Sequence, residues 1–189
     1  MKKKSIIIIA VVVILVLIAG FFIGGYNGLV TAEEQVTEKE SQISVQLQRR
    51  ADSIPNFVNT VKGYSDYEQK TFKAVTEARA AVKNADGPKE QANASAQLDG
   101  AIDIWVNAVT EAYPELKANK QYLALQDELA GTENRISVAR KDYNEEAKEF
   151  NTKIRRFPKN LLAGMFGFDK VEYFEADAGA EKVPEVSFD

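Results

Sequence analysis

The side chains that most often perform catalysis are either missing from this chain or placed where they cannot act together. The chain contains no cysteine and no histidine, which excludes thiolate nucleophiles, imidazole acid–base schemes and the usual zinc sites. Its paired carboxylates are sequence neighbours, in Glu33-Glu34 and Glu145-Glu146. Neighbouring residues of a helix point about 100° apart, so these pairs are typical of a solvated helix face.

The sequence also lacks the usual motifs for phosphate groups and metals. Gly24-Gly25 and Gly164–Gly167 have neither the Lys-Ser/Thr partner nor the preceding strand of a phosphate loop, and a di-iron bundle needs Glu-x-x-His motifs. We therefore predict no catalytic residue, no cofactor and no metal site, and a protein that is not an enzyme. An enzyme would need carboxylates with a metal, or tyrosine and lysine chemistry, at a site that spacing does not reveal.

Two basic clusters are the remaining candidates for a binding site. One is Arg49-Arg50 with Asp52, and the other consists of Lys153, Arg155, Arg156 and Lys159. Both can be interpreted as cations that complement the dipole at a helix C-terminus. The alternative is an anion site for the first cluster, and a partner or a lipid headgroup for the second. The residues that we predict as candidate partner contacts are Arg49, Arg50, Asp52, Arg155 and Arg156.

The charge balance limits the kind of partner. The chain has 24 basic and 28 acidic residues, a net charge of -4. Three of the basic residues, Lys2, Lys3 and Lys4, precede a long apolar run, so the remainder has 21 basic and 28 acidic residues, a net of -7. Such a surface repels phosphate groups, and we predict that the protein does not bind nucleic acid.

The apolar run from Ile6 to Gly25 predicts a membrane anchor. Its 20 or so residues rise about 30 Å as a helix, the thickness of a bilayer core. A buried soluble helix would carry polar residues on one face, and a cleavable signal peptide would have a shorter run and a small-x-small cleavage site. We expect an uncleaved anchor that binds the lipid bilayer through Ile6–Gly25.

Charge asymmetry predicts how this anchor is oriented. Three lysines precede the run, whereas the first charges after it are Glu33 and Glu34. By the positive-inside rule, the amino end stays in the cytoplasm and the following domain lies outside it.

Helical periodicity dominates the chain from Tyr26 onward. Asp52–Pro55 reads as the end of one helix and the start of the next, because proline disfavours helix at the preceding residue and fits a first turn. Asn84–Pro88 and Tyr113-Pro114 predict two further connections. We predict an all-α protein: an antiparallel up-and-down four-helix bundle preceded by one N-terminal transmembrane helix.

This pattern predicts four segments. Residues 1–25 form the cytoplasmic lysines and the anchor, and residues 26–156 form the bundle. Residues 157–175 are rich in aromatic side chains that are costly to leave in water. We expect this segment to pack on the bundle, with a protein partner or the membrane as alternatives. Residues 176–189 are small and acidic, and we expect a disordered tail.

Three long motifs closely resemble those of the LemA family. They are Gln46–Val58, Leu125–Asn144 and Phe150–Phe174, and Tyr26–Val30 also follows that family's pattern. The chain departs from the family where it has Glu40 in place of a frequent tryptophan and Tyr67 in place of a frequent histidine. The resemblance implies a four-helix bundle anchored in a bacterial envelope, and it implies no reaction.

Together these features predict a single-pass protein of the bacterial cytoplasmic (inner) membrane that acts as a scaffold or protein-interaction module, with a protein partner of unknown identity. The alternative is an envelope sensor or signalling accessory, which would act through another membrane protein because only about five residues lie on the cytoplasmic side.

Overall fold

The computed structural model describes residues 2–62 and 69–175, and every regular element in those ranges is helical. This confirms the all-α prediction. The five α-helices are α1 (Lys2–Lys62), α2 (Gln69–Asn84), α3 (Gly87–Ala112), α4 (Lys120–Arg155) and α5 (Lys159–Phe166), and a short 3₁₀ helix, Pro114–Ala118, precedes α4. The predicted disordered tail, 176–189, and Tyr67 lie outside the described residues.

The first part of α1 is a candidate membrane helix. It is long and apolar enough to cross a bilayer, with a mean hydropathy of 3.6 in its most apolar window, and none of that window is buried. A core helix of a soluble protein would be covered by the rest of the chain. The exposed apolar surface of α1 therefore argues against that interpretation.

The predicted break at Asp52–Pro55 is wrong. Helix α1 continues through Pro55 to Lys62, and the next helix begins at Gln69. A proline inside a helix removes one backbone hydrogen bond, to the carbonyl four residues before it. For Pro55 that carbonyl belongs to Ala51, whose oxygen accepts a hydrogen bond from Arg79 Nε at 2.7 Å. The side-chain donor replaces the missing backbone donor.

The chain divides into two compact units, which share α1 and α4. Unit 1 contains α1 up to Glu38 together with Glu145–Val171, and unit 2 contains Lys39–Asn144 together with the segment from Glu172 onward. Each unit has its own buried core.

In unit 1, α5 and the residues after it pack on α1 and α4. The buried residues of this unit are Leu29, Ala32, Val36, Ala147, Phe150, Ile154, Leu162, Ala163 and Phe168. A Cβ atom at position 25 would overlap Leu162 Cδ1, so glycine at this position permits the close approach of α5. Gly167 ends α5 with a φ of 76°, a conformation that glycine adopts without strain.

The centre of unit 2 is a cluster of three aromatic rings. Phe57 of α1 packs against Trp105 of α3 and Tyr122 of α4, with ring centroids 4.9 Å and 5.4 Å away. The Tyr122 hydroxyl lies 2.7 Å from Thr110 Oγ1, so its polar atom is also satisfied. The remaining large core side chains of this unit include Ile43, Leu47, Val75, Leu98, Ile102, Val109, Leu116, Ile136 and Tyr143.

Two asparagines of α4 hold the extended segment that follows α5. In unit 1, Asn151 donates to the carbonyl of Val171 at 2.9 Å and accepts from its N–H at 3.0 Å. In unit 2, Asn144 makes the same pair of bonds with Phe174, at 2.8 Å and 2.9 Å. Each side-chain amide thus satisfies one donor and one acceptor of a backbone that has no strand partner among the described residues.

Candidate functional site

An ion-pair cluster in unit 2 is built around a buried arginine. Arg50 of α1 is only 6% exposed. Its Nη2 lies 2.7 Å from Asp99 Oδ1 of α3, and its Nη1 donates to Glu133 Oε2 of α4. Burial lowers the pKa of the Arg50 guanidinium, while Asp99 and then Asp103 act in the opposite direction. Arginine nevertheless stays charged at neutral pH, so its guanidinium attracts both carboxylate side chains.

The cluster forms one wall of an open groove of about 430 Å³. The groove is lined by Arg50, Asp99, Ile102, Asp103, Val106, Gln126, Leu129, Ala130 and Glu133. Asp103 is exposed, and the Glu133 side chain is 42% exposed. Within residues 2–62 and 69–175, no three acidic side chains are grouped so as to hold a metal ion. The groove therefore combines carboxylate hydrogen-bond acceptors with apolar side chains such as Ile102 and Leu129. A surface of this kind suits a ligand that carries a cationic group.

A second polar cluster joins α2 to α1 beside Pro55. Arg79 bonds the Ala51 carbonyl, and its Nη2 lies 3.3 Å from Asp52 Oδ1. Lys83 lies 3.0 Å from the same oxygen. The hydrogen bond from Lys83 is the largest of the influences that lower the pKa of Asp52, and the bond from Arg79 adds to it. Since Ala51 is fully buried, its carbonyl has no access to water in place of Arg79.

Glu40 and Tyr143 form a third group in unit 2. Burial raises the pKa of Glu40, and the nearby charge of Asp86 raises it further. Burial also raises the pKa of Tyr143 to about 12, with a smaller contribution from Glu40. The Tyr143 hydroxyl donates to the carbonyl of Glu172 at 2.9 Å. Tyr143 is therefore a neutral structural donor at physiological pH.

The structure separates the sequence-predicted contact residues into different environments. Arg49 is exposed, whereas Arg50 is in the core and leaves little surface for a partner. The interpretation of this pair as a helix cap is wrong, because α1 does not end there. Asp52 is engaged by Arg79 and Lys83. In unit 1, Arg155 and Arg156 are exposed, and Arg155 is in the last turn of α4, where it complements the helix dipole.

The partners of Arg50 were missed by sequence analysis, although one signal pointed to them. Arg50 follows Ile43 and Leu47 at the heptad spacing that the core residues of α1 share. A charged residue in such a core position needs a buried counter-ion. This spacing does not identify which carboxylate on another helix meets Arg50, because that depends on the relative register of the helices.

Comparison with known proteins confirms the resemblance to the LemA family. The LemA family model matches residues 39–188. The chain belongs to the LemA family. Two of the motifs that resemble the family meet in the ion-pair cluster of unit 2, because Gln46–Val58 contains Arg50 and Leu125–Asn144 contains Glu133.

Individual LemA-family relatives are moderately similar to the chain. It is 29% identical over 156 residues to Protein LemA of Metamycoplasma hominis, a match that covers 82% of this chain and 71% of that protein. It is 29% identical over 175 residues to Magnetosome protein MamQ 2 of Paramagnetospirillum magneticum, a match that covers 79% of this chain and 64% of that protein. It is 27% identical over 180 residues to Magnetosome protein MamQ of Magnetospirillum gryphiswaldense, a match that covers 82% of this chain and 66% of that protein. The chain thus spans slightly less than two thirds of these magnetosome proteins.

The Arg79 bond to Ala51 predicts an energetic coupling with Pro55. Replacing Arg79 by Met should destabilise the protein by about 1–3 kcal/mol, because it leaves a buried carbonyl unsatisfied. In a Pro55→Ala background the backbone N–H of residue 55 can bond to Ala51, and the cost of Arg79→Met should fall. Denaturant unfolding of the four proteins in detergent micelles measures this coupling. An equal cost of Arg79→Met in both backgrounds would contradict the proposed bond.

The raised pKa of Glu40 predicts a pH-dependent stability. A raised pKa in the folded state means that the stability contributed by protonated Glu40 is present below its ordinary pKa of 4.5 and is lost as the pH rises through the folded-state pKa. Glu40→Gln should therefore raise the melting temperature at pH 7 and have little effect at pH 3.5. Glu34→Gln, at an exposed position on the same helix, should show no such pH dependence. A Glu40→Gln effect that is the same at both pH values would refute this explanation.

Proposed function

We propose that this protein is a non-enzymatic, membrane-anchored helical module of the bacterial cell envelope that scaffolds or binds another protein. The observation that carries the proposal is the single helix α1, which joins an uncovered apolar stretch to a folded unit without a break. Membership of the LemA family, with relatives named as magnetosome proteins, fits a membrane-associated protein.

Contacts at the end of the apolar stretch support an anchor that is retained rather than a signal peptide that is removed. Gly25 packs against Leu162, and the ring of Tyr26 lies 4.8 Å from Phe166 and 5.8 Å from Phe168. Cleavage at the usual place, just after the apolar run, would remove or disrupt these contacts. The three N-terminal lysines support a cytoplasmic amino end in the inner membrane, with the domain outside it.

The proposed arrangement of unit 2 is an antiparallel four-helix bundle. Arg50 connects α1 to α3 and α4, and Arg79 connects α2 to α1, so each of the four helices takes part. The two-residue connection at 85–86 between α2 and α3 is typical of helices that run in opposite directions.

The groove beside Arg50 is the proposed contact surface for the partner. Its accessible charged groups are carboxylates, notably Asp103, and they complement lysine or arginine side chains. Arg49 is exposed in the same unit but does not line the groove. The Arg50 guanidinium offsets part of the negative charge of Asp99 and Glu133, so the exposed Asp103 is the carboxylate of the groove most available to a partner.

A sensor is the second candidate function, and the continuity of α1 favours it. A helix that runs from the apolar stretch to Arg50 and Phe57 can transmit a displacement along its axis. In this candidate function the signal passes to another membrane protein. Crosslinking within the apolar stretch distinguishes the two functions, because a strictly monomeric anchor argues against the sensor.

The proposal predicts a membrane protein whose partner depends on the groove. Full-length protein from native membranes should keep its N-terminal lysines by mass spectrometry and resist alkaline extraction. Used as bait after solubilisation, it should enrich a reproducible partner, and Asp103→Lys should reduce that enrichment at least tenfold.

Asp127→Lys provides the matched control, because Asp127 is an exposed aspartate of unit 2 that does not line the groove. It should retain the partner. A mature chain that begins beyond Tyr26 would overturn the anchor. Equal enrichment by both variants, or no partner at all, would overturn the proposed contact surface.

A further inference from the structure

Helix α5 has an apolar face that no part of the described chain covers. Phe157, in the turn before α5, is 79% exposed, and Leu161 and Met165 are each 62% exposed. Leu161 and Met165 are four residues apart and so lie on one side of the helix. The opposite side is anchored, because Leu162 and Ala163 are buried. An exposed patch of this kind marks a surface that has an apolar occupant.

The contacts of α5 fix its position along α1. Leu162 packs against Gly25, Phe166 packs against Tyr26, and Lys159 Nζ would lie 3.8 Å from a Cβ atom at Gly28. These partners are the residues that directly follow the apolar run. Since Ile6–Gly25 as a helix rises about 30 Å, Gly25 is at the boundary of the hydrocarbon if α1 spans a bilayer.

We infer that α5 is an interfacial helix whose exposed face, Phe157, Leu161 and Met165, inserts into the bilayer beside the anchor. This inference rests on the proposed membrane anchor and adds a second lipid contact to it. The face continues the lipid-exposed surface of α1, where Phe21 and Phe22 are also uncovered. This continuity with the anchor favours lipid over a protein as the occupant.

The polar groups around α5 suit the headgroup region. Arg155 and Arg156 are exposed at the end of α4, where they can reach lipid phosphates while the adjacent apolar side chains enter the acyl region. Tyr26 is 39% exposed and follows the apolar run, a position where tyrosine is enriched at membrane interfaces. An apolar face flanked by cations is the pattern of a helix that lies in the membrane surface.

A second lipid contact would restrict the motion of unit 1 relative to the bilayer. A single spanning helix can rotate about its own axis and tilt, whereas a helix docked on its side and inserted in the interface restricts both motions. Unit 1 would then present one fixed side to the bilayer.

Site-specific labelling tests this inference directly, because the chain has no native cysteine. The full-length protein is reconstituted into phosphatidylethanolamine–phosphatidylglycerol vesicles with a fluorophore at Leu161→Cys or at Met165→Cys. Vesicles that contain lipids with a quencher on the upper acyl chain should reduce the emission of both labels at least twofold relative to unmodified vesicles.

Two controls make the outcomes distinguishable. Labels at Ile104→Cys and Val138→Cys, which are 64% and 52% exposed positions of unit 2, measure quenching at apolar positions outside the proposed face. A label at Leu15→Cys, near the middle of the apolar run, is measured in vesicles whose quencher lies near the end of the acyl chain and reports whether the anchor itself is inserted.

Quenching at Leu15, Leu161 and Met165 above that at Ile104 and Val138 supports the inference. Quenching at Leu15 with Leu161 and Met165 no more quenched than the controls overturns it and leaves the anchor intact, as expected if a protein covers this face. Absence of quenching at Leu15 overturns the proposed anchor as well.

Discussion

The integrity of α1 at Pro55 is the constraint on which the rest of the structure depends. One helix, Lys2–Lys62, carries the apolar stretch, the buried Arg50 and the central ring of Phe57. Proline in a helix interior costs about 3 kcal/mol or more, and part of that cost is the unpaired carbonyl of Ala51. Arg79 supplies the missing donor from α2. The helix that carries the apolar stretch thus has its missing hydrogen bond supplied by a side chain of α2.

The buried charge of Arg50 favours one register of the packed helices more than it adds to the free energy of folding. A buried ion pair gains little over an apolar core, because removing both charges from water offsets their attraction. Removing both carboxylates would be different, since it would leave an uncompensated buried charge, a change that costs about 3–5 kcal/mol. A shift of α1 along α3 and α4 would separate Arg50 from Asp99 and Glu133 and incur part of that penalty. The cluster therefore fixes the register of these helices within unit 2.

The sequence predicted the helical class and the membrane candidate, because both depend on periodicity and on a long apolar run. It failed at Pro55, where local propensity predicted a break and a tertiary contact from Arg79 overcame it. The helical period of α3 fits a core stripe through Ala94, Leu98, Ala101, Trp105, Ala108 and Ala112, and the structure buries Ala94, Leu98 and Trp105 of that set; Ile102 and Val109 are buried in addition, whereas Ala112 is exposed. Because alanine fits both the buried and the exposed face of a helix, periodicity alone does not identify which face of α3 is buried. Packing against the neighbouring helices determines it.

The candidate site was predictable only in part. Arg50 was identified as a residue of interest, but Asp99, Glu133 and Arg79 are distant in sequence and became visible only once the helices were packed. Helix α5 was hidden within an aromatic segment for which no helix was predicted. Its uncovered face depends on which side chains the rest of unit 1 buries, and sequence pattern alone does not specify that choice.

The most direct test of the account is a distance across Pro55 in the full-length, membrane-reconstituted protein. Spin labels at Ser41→Cys and Asn59→Cys occupy exposed positions 18 residues apart on α1. An unbroken helix places these positions on the same side and about 27 Å apart, so a double electron–electron resonance experiment should give one narrow peak near that value. A broad distribution, or a peak below about 20 Å, would mean that the helix ends near Asp52 and would contradict the account.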